Sequence, residues 1–249
     1  MATDALGPNS RISRRRKGSG PTVQLLPFRP GRGGARKGAG RKPNGERAMV
    51  DHRQRVALAS RHPVHVTVKL REHLPALRRR AEYTALRGAF AKGCARNLAG
   101  AFRLCHYAVL NDHLHLLVEA QSRRALARGI QGLLIRVARA LNKLWDRKGK
   151  VFADRYHDHI LTSLREVRNA LVYVFGNGKK HANEGRHVSV PQALDTYTSA
   201  PWFDGFREHI VVRGLEAILR PVAGARSWLL ATGWRRLGLI SAFEVPRAG

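Results

Sequence analysis

VHVTVK, Val64 to Lys69, alternates apolar and polar residues with a period of two, and that alternation most limits the folds open to this chain. Phe102 to Leu110 and His113 to Ala120 read as two further strands. Side chains alternate across a strand, so segments of this kind build a sheet with one face turned to a core. Asn111-Asp112, between the second and third segments, is turn chemistry and predicts a hairpin. A fourth strand is expected over Tyr156 to Leu161.

Between the strands the apolar spacing becomes helical. A first helix is expected from about Pro75 to Asn97, with Leu74, Leu77, Ala81 and Ala85 on one stripe. A second runs from Ser122 to Trp145, with Ile130, Leu133, Leu134, Val137 and Leu141 at helical intervals. A third starts at Ser163, where Glu166 completes a capping box, and runs to about Asn177. The order β-α-β-β-α-β-α is a ferredoxin-like split βαβ pattern. It predicts an α+β fold, a four- to five-stranded antiparallel sheet with helices packed on it.

The flanks differ from this region. Residues 1–60 are rich in Gly, Arg, Lys and Pro and poor in large apolar residues, which predicts a flexible basic tail. Within it, GGARKGAGRKP offers Arg36, Lys37, Arg41 and Lys42 to phosphates, in a loose likeness to an AT-hook without its Arg-Gly-Arg-Pro core. Residues 185–249 form a C-terminal extension; Trp202, Phe203, Phe206, Trp228 and Trp234 predict that it packs on the core.

Lys and Arg total 46 against 17 Asp and Glu in 249 residues, a formal charge of +29. So large an excess points to a polyanionic partner, nucleic acid first and an anionic membrane surface second; a solvated basic surface is the bland alternative. No apolar run has the length of a membrane span and the N-terminus lacks a signal-peptide core, so a cytoplasmic, nucleoid-associated protein is expected. Cys94 and Cys105 suit a reducing compartment and do not suggest a four-cysteine zinc site.

The chemistry-bearing candidates begin with His113 and His115. Two residues apart on a strand, they share a face, while Leu114, Leu116 and Val118 turn to the core. Paired imidazoles can grip one divalent ion, yet the same pattern also marks an ordinary half-exposed strand. On the third helix, Leu164, Val167, Leu171, Val174 and Phe175 form the apolar stripe. Tyr173 and Asn177 lie off it, four residues apart and so on a common face with Glu166, Asn169 and Ala170. A tyrosine meant for the core belongs on the stripe; this one is either a surface residue or a functional one. His157 and His159 share a face of the fourth strand and read as polar face residues or as further metal ligands.

Together these segments resemble the single-tyrosine HUH transposases of the insertion-sequence-200 type, and within them the REP-associated tyrosine transposases. NDHLHLLVEA matches the His-hydrophobic-His strand, GKVFADRYHDHIL the segment before the tyrosine helix, and EVRNALVYVFGNGKKH that helix itself. The resemblance covers Pro63 to His181, about half of the chain, and makes residues 61–184 the catalytic domain. Asn177-Gly178 stands where members often have Asn-Pro. The resemblance implies Tyr173 as nucleophile, His113, His115 and Asn177 as ligands of Mg²⁺ or Mn²⁺, and cleavage and rejoining of single-stranded or hairpin DNA through a 5′-phosphotyrosine. It leaves open whether the chain forms a homodimer. Arg155, Arg165 and Arg168 are candidate phosphate contacts beside that site, or solvated charges. Arg123, Arg124, Arg128, Arg136 and Arg139 give the second helix a basic face that tracks DNA or is simply wet.

Competing readings remain. A binding module on the same sheet, for DNA or RNA, would keep the basic surface without the chemistry. His65-Val66-Thr67 matches half of the paired signature of two-histidine phosphoesterases, whose second half is absent. Tyr83, Tyr107 and Tyr156 are rival nucleophiles, but Tyr173 alone has the asparagine one helical turn on.

Overall fold

The computed structural model describes residues 56–96, 100–183 and 194–246 except 213 and 216, with the side chains of 95, 96 and 177–183 outside the description. The basic stretch with Arg36, Lys37, Arg41 and Lys42 lies outside the described residues.

Four strands, β1 (Val64–Lys69), β2 (Phe102–Val109), β3 (His113–Ala120) and β4 (His157–Ile160), form one antiparallel sheet in the order β2-β3-β1-β4. Three long helices join and follow them: α1 (Arg80–Arg96), α2 (Arg123–Leu144) and α3 (Leu164–Asn183). The fold is α+β, with the split βαβ connectivity expected from the apolar spacing. The β2–β3 hairpin closes at Leu110, whose N–H donates to the His113 carbonyl at 2.9 Å.

The two faces of the sheet are covered by different helices. Val64, Val66, Val68, Leu114, Leu116 and Val118 are all at most 1% exposed and face α1 and α2. Leu126, Ile130, Leu133, Val137 and Leu141 of α2 close over them. On the other face Cys105, Ala108, Leu110 and Leu117 pack against Val167, Leu171, Val174 and Phe175 of α3. The C-terminal segment completes this second core: Trp234 is fully buried and stacks on Phe203, with ring centroids 5.6 Å apart. Trp228, in contrast, is 52% exposed, with the Arg236 guanidinium over its ring.

Two boundaries depart from expectation. α1 begins at Arg80 rather than near Pro75, because the preceding segment is tied elsewhere: the Leu77 N–H donates to the Asn111 carbonyl, and Arg78 grips Asp195 through two hydrogen bonds of 2.9 Å. The buried stripe of α1 therefore runs through Glu82, Leu86, Ala89 and Phe90, and Ala81 is exposed. α3 continues past Gly178 to Asn183. A glycine inside a helix costs only about 1 kcal/mol, which a long packed helix absorbs.

The start of α3 is fixed locally. The Ser163 hydroxyl accepts from the Glu166 N–H at 3.2 Å, and the Glu166 carboxylate accepts from the Thr162 and Ser163 N–H groups at 2.7 and 2.9 Å. This reciprocal capping sets the phase of α3, and hence the direction in which Tyr173 points.

Candidate active site

Register places the site. β1 and β3 pair with Thr67 opposite His115 and Lys69 opposite His113, and β1 and β4 pair with His65 opposite His159 and Thr67 opposite His157. Directly paired residues share a sheet face. His65, Thr67, His113, His115, His157 and His159 therefore stand on the face that α3 covers.

The imidazoles of His113 and His115 converge, with their Nε2 atoms 3.1 Å apart and the rings at 89°. Their outer nitrogens are both occupied. His113 Nδ1 lies 2.7 Å from the Asp112 carboxylate, an acceptor, so Nδ1 carries the hydrogen and Nε2 the lone pair of the neutral ring. His115 is only 4% exposed; its Nδ1 meets Thr67 Oγ1 at 3.1 Å and His65 Nε2 at 3.2 Å, so it too can donate outward and turn a lone pair inward. Two lone pairs aimed at each other repel unless a proton or a cation lies between them. Nitrogens about 2.1 Å from one octahedral ion at right angles lie about 3.0 Å from each other, so this pair fits a shared divalent ion. Outer hydrogen bonds that fix the tautomer are the usual support of such ligands.

Tyr173 reaches the same place from α3. Its ring stands edge-on to His115, centroids 4.9 Å apart at 80°, and edge-on to His65 at 5.7 Å. Asn177 follows one turn later in α3, with its side chain outside the described residues. Among the described residues no group of three or more His, Cys, Asp and Glu side chains could hold a metal.

Burial pushes the His65 imidazole down to about 4, and the neighbouring His159 adds to the effect, so His65 is neutral at physiological pH. Neutral, its Nε2 can accept from His115. His159 itself is exposed and lies 3.7 Å from Glu166.

Tyr173 lines a cleft of about 1080 Å³ together with His65, His159, Arg165 and Asn169. Its opposite wall is Leu237, Val245 and Pro246 from the C-terminal segment. That wall comes close because Gly176 has no side chain: a Cβ there would lie 2.8 Å from Pro246 Cδ and 2.9 Å from the Glu244 carbonyl oxygen.

The arginines expected at this site fare differently. Arg165 is exposed on the cleft rim, where a phosphate can reach it. Arg168 also lines the cleft, but its guanidinium makes a two-pronged pair with Glu244, at 2.8 and 3.0 Å, and donates to the Gly238 and Leu239 carbonyls. Arg155 is exposed and is not among the residues lining the cleft. The rival tyrosines Tyr83 and Tyr107 are bonded to each other at 3.1 Å in the core with α1 and α2, and burial raises both hydroxyls above the usual phenol range.

Two residues in contact with His115 were not singled out for this site by the motif reading. His65 and Thr67 were visible only as half of another family's signature; the signal that brings them here is the pairing of β1 with β3, which places both beside His115. The apolar wall from residues 237–246 carried no sequence signal beyond Gly176 in α3.

No family model matches the chain, and no curated protein matches it. Solved structures similar to it include a REP-associated tyrosine transposase bound to a REP hairpin, at 18% identity and a TM-score of 0.43, over 53% of this chain and 74% of that one. They also include a protein of Deinococcus radiodurans assigned as a transposase, at 15% identity and a TM-score of 0.35, over 57% of this chain and all of that one. A bacterial tRNA(His) guanylyltransferase-like protein in complex with GTP is similar at 15% identity and a TM-score of 0.35, over 55% of this chain and 74% of that one.

Proposed function

We propose that this chain is a metal-dependent enzyme that cuts and rejoins single-stranded DNA through Tyr173, a transposase or endonuclease of the single-tyrosine type. One observation carries the reading: the Nε2 atoms of His113 and His115 converge to 3.1 Å, and the Tyr173 ring stands against them. A surface histidine pair needs neither the convergence, nor an aligned tyrosine, nor partners for both outer nitrogens.

As the Tyr173 oxygen attacks the scissile phosphorus, a P–O bond forms to tyrosine and the bond to the 3′ oxygen breaks; the phenolic proton is lost to solvent and the departing 3′ oxygen takes one up from it. The products are a 5′-phosphotyrosine and a free 3′-hydroxyl. The phosphodiester energy is kept, so attack by a 3′-hydroxyl on the adduct rejoins DNA without a nucleotide cofactor. Mg²⁺ or Mn²⁺ on His113, His115 and Asn177 would polarise a non-bridging oxygen and offset charge in the transition state. Arg165 on the rim suits a flanking phosphate, and the apolar wall opposite Tyr173 suits an unstacked base.

The test is covalent capture on a labelled single strand containing a hairpin. Wild type should give a denaturation-resistant adduct in Mg²⁺ or Mn²⁺ and none in chelator. Tyr173→Phe should bind the strand within about twofold of wild type and form no adduct, since it removes only the attacking oxygen. An adduct with the Phe variant, or full activity in chelator, refutes the assignment. Binding without an adduct in wild type supports the competing reading of a nucleic-acid binding module.

A further inference from the structure

A second cleft, of about 960 Å³, opens beside the start of β2, between the end of α1, the N-terminal half of α2 and residues 223–226. Its residues are of two kinds. Arg124, Arg128 and Arg136 of α2 stand on one side, with Arg103 and Arg226 on the other. Five of the residues along it are glycines: Gly93, Gly100, Gly129, Gly132 and Gly224. None of its lining residues is acidic. The nearby carboxylate, Glu119, is already satisfied: it lies 3.6 Å from Arg103 Nε and accepts the Arg226 and Ser227 N–H groups. Among the described residues, the side chains of Arg124, Arg128 and Arg136 have no hydrogen-bond or ion-pair partner, although Arg136 is half-buried.

A cation-lined cleft with no acidic neighbour is electrostatically unfavourable by itself and favourable around an anion. The spacing says which kind of anion. Arg124 and Arg128 are separated by about 6 Å of helix rise, and Arg128 and Arg136 by about 12 Å. One phosphate cannot span that distance, whereas a chain of phosphates can. Gly132, between Arg128 and Arg136, leaves the α2 backbone bare along this track. A Cβ there would meet only the Arg136 guanidinium, at 3.3 Å. The Ser122 cap turns the α2 N-terminus toward the same cleft and adds its partial positive charge.

We infer that this cleft is a second nucleic-acid site, which holds the phosphodiester backbone of a strand across Arg124, Arg128 and Arg136. It serves binding, not cleavage, and does not depend on the catalytic reading. No residue lines both clefts.

The test uses the full-length chain carrying Tyr173→Phe, so that binding is read without cleavage. A short single-stranded oligonucleotide is titrated by fluorescence anisotropy at several salt concentrations. Arginine modification is then mapped by mass spectrometry with and without the oligonucleotide. The expected result is protection of Arg124, Arg128 and Arg136. Arg128→Ala with Arg136→Ala should reduce the slope of log affinity against log salt by about 1.4, for two phosphate contacts. Gly132→Met keeps the charge, favours the helix and fills the track; it should remove the protection while thermal stability is kept or raised. Protection confined to other arginines, an unchanged salt slope, or full protection in Gly132→Met overturns the proposal. Protection by inorganic tripolyphosphate but not by the oligonucleotide also overturns it, in favour of a small-anion site.

Discussion

Replacing Thr67 by valine removes one of the two acceptors that face His115 Nδ1 while keeping the shape of the side chain. The hydroxyl oxygen lies 3.1 Å from that nitrogen and His65 Nε2 lies 3.2 Å from it. If the Nδ1 hydrogen is held outward by these two groups, each contributes about 1 kcal/mol, the usual net value of a partly buried hydrogen bond. Thr67→Val alone should then weaken Mn²⁺ binding about fivefold, because His65 remains as acceptor. Thr67→Val with His65→Phe leaves Nδ1 without either partner and should weaken it about 30- to 100-fold, the range expected for loss of outer-shell support. Thr67→Ser restores the oxygen and should recover most of the affinity. Calorimetric titration of Mn²⁺ into the Tyr173→Phe chain measures this directly. Imidazole nitrogen shifts in metal-free protein give an independent readout, since the His115 hydrogen should redistribute from Nδ1 to Nε2 in the double variant. Unchanged affinity and unchanged tautomer in the double variant would refute the argument that β1 orients the ligand on β3.

Other perturbations separate the remaining claims. Arg168→Ala should lower stability by about 1–2 kcal/mol, through loss of a half-buried pair, and leave the salt dependence of DNA binding unchanged; Arg165→Ala should do the reverse. Denaturant unfolding and anisotropy read the two effects. Hydrogen bonds from the Thr162 backbone and hydroxyl, and then from Ser163, hold the Glu166 carboxyl down to about 2, so its contribution is present above about pH 4.5 and lost as pH falls through about 2. Glu166→Gln should remove that part of the acid-unfolding profile, and an unchanged profile would contradict the capping geometry. Gly129→Ala places a Cβ 2.1 Å from the Phe102 ring and should destabilise by about 1–3 kcal/mol despite its helix propensity. Gly88→Ala meets nothing within 4 Å and should stabilise by about 0.5–1 kcal/mol. Thermal melts that moved the two glycine variants in the same direction would show that packing at α2 has been misread.

Legibility in the sequence follows how local each cause is. Strand alternation, the hairpin turn and the capping box are set by neighbours within a few residues, and all three stand where the spacing put them. The position of Tyr173 was legible for the same reason: it breaks the apolar stripe of its own helix and stands beside His115. Arg168 was not. Its partner is Glu244, far along the chain, and a guanidinium that looks like a phosphate contact in a basic sequence is held by a carboxylate that only the tertiary fold brings near. The α1 start was misjudged through the same kind of non-local tie, since Leu77 and Arg78 are held by Asn111 and Asp195. His65 and Thr67 lay between these cases. Their common face was legible, but their partner strand was not, because period-two alternation says nothing of which strand pairs with which.

The two clefts of this basic chain differ in how their charges are partnered. Charge alone would make the whole surface sticky to polyanions. The fold sorts it: on the α3 face, Arg168 is taken by Glu244, and the cleft is left with Tyr173, neutral His65 and one free guanidinium on its rim among the described residues, Arg165. Beside α2, Arg124, Arg128 and Arg136 have no carboxylate partner among the described residues, and Gly132 leaves the helix backbone open between them. The first arrangement favours chemistry on one phosphate, where a few groups must be placed accurately. The second favours grip along several phosphates, where charge and access matter more than geometry. Variants in the α2 track should therefore change affinity and salt dependence while covalent capture at saturating DNA stays intact. Variants at Thr67, His115 or Tyr173 should do the opposite.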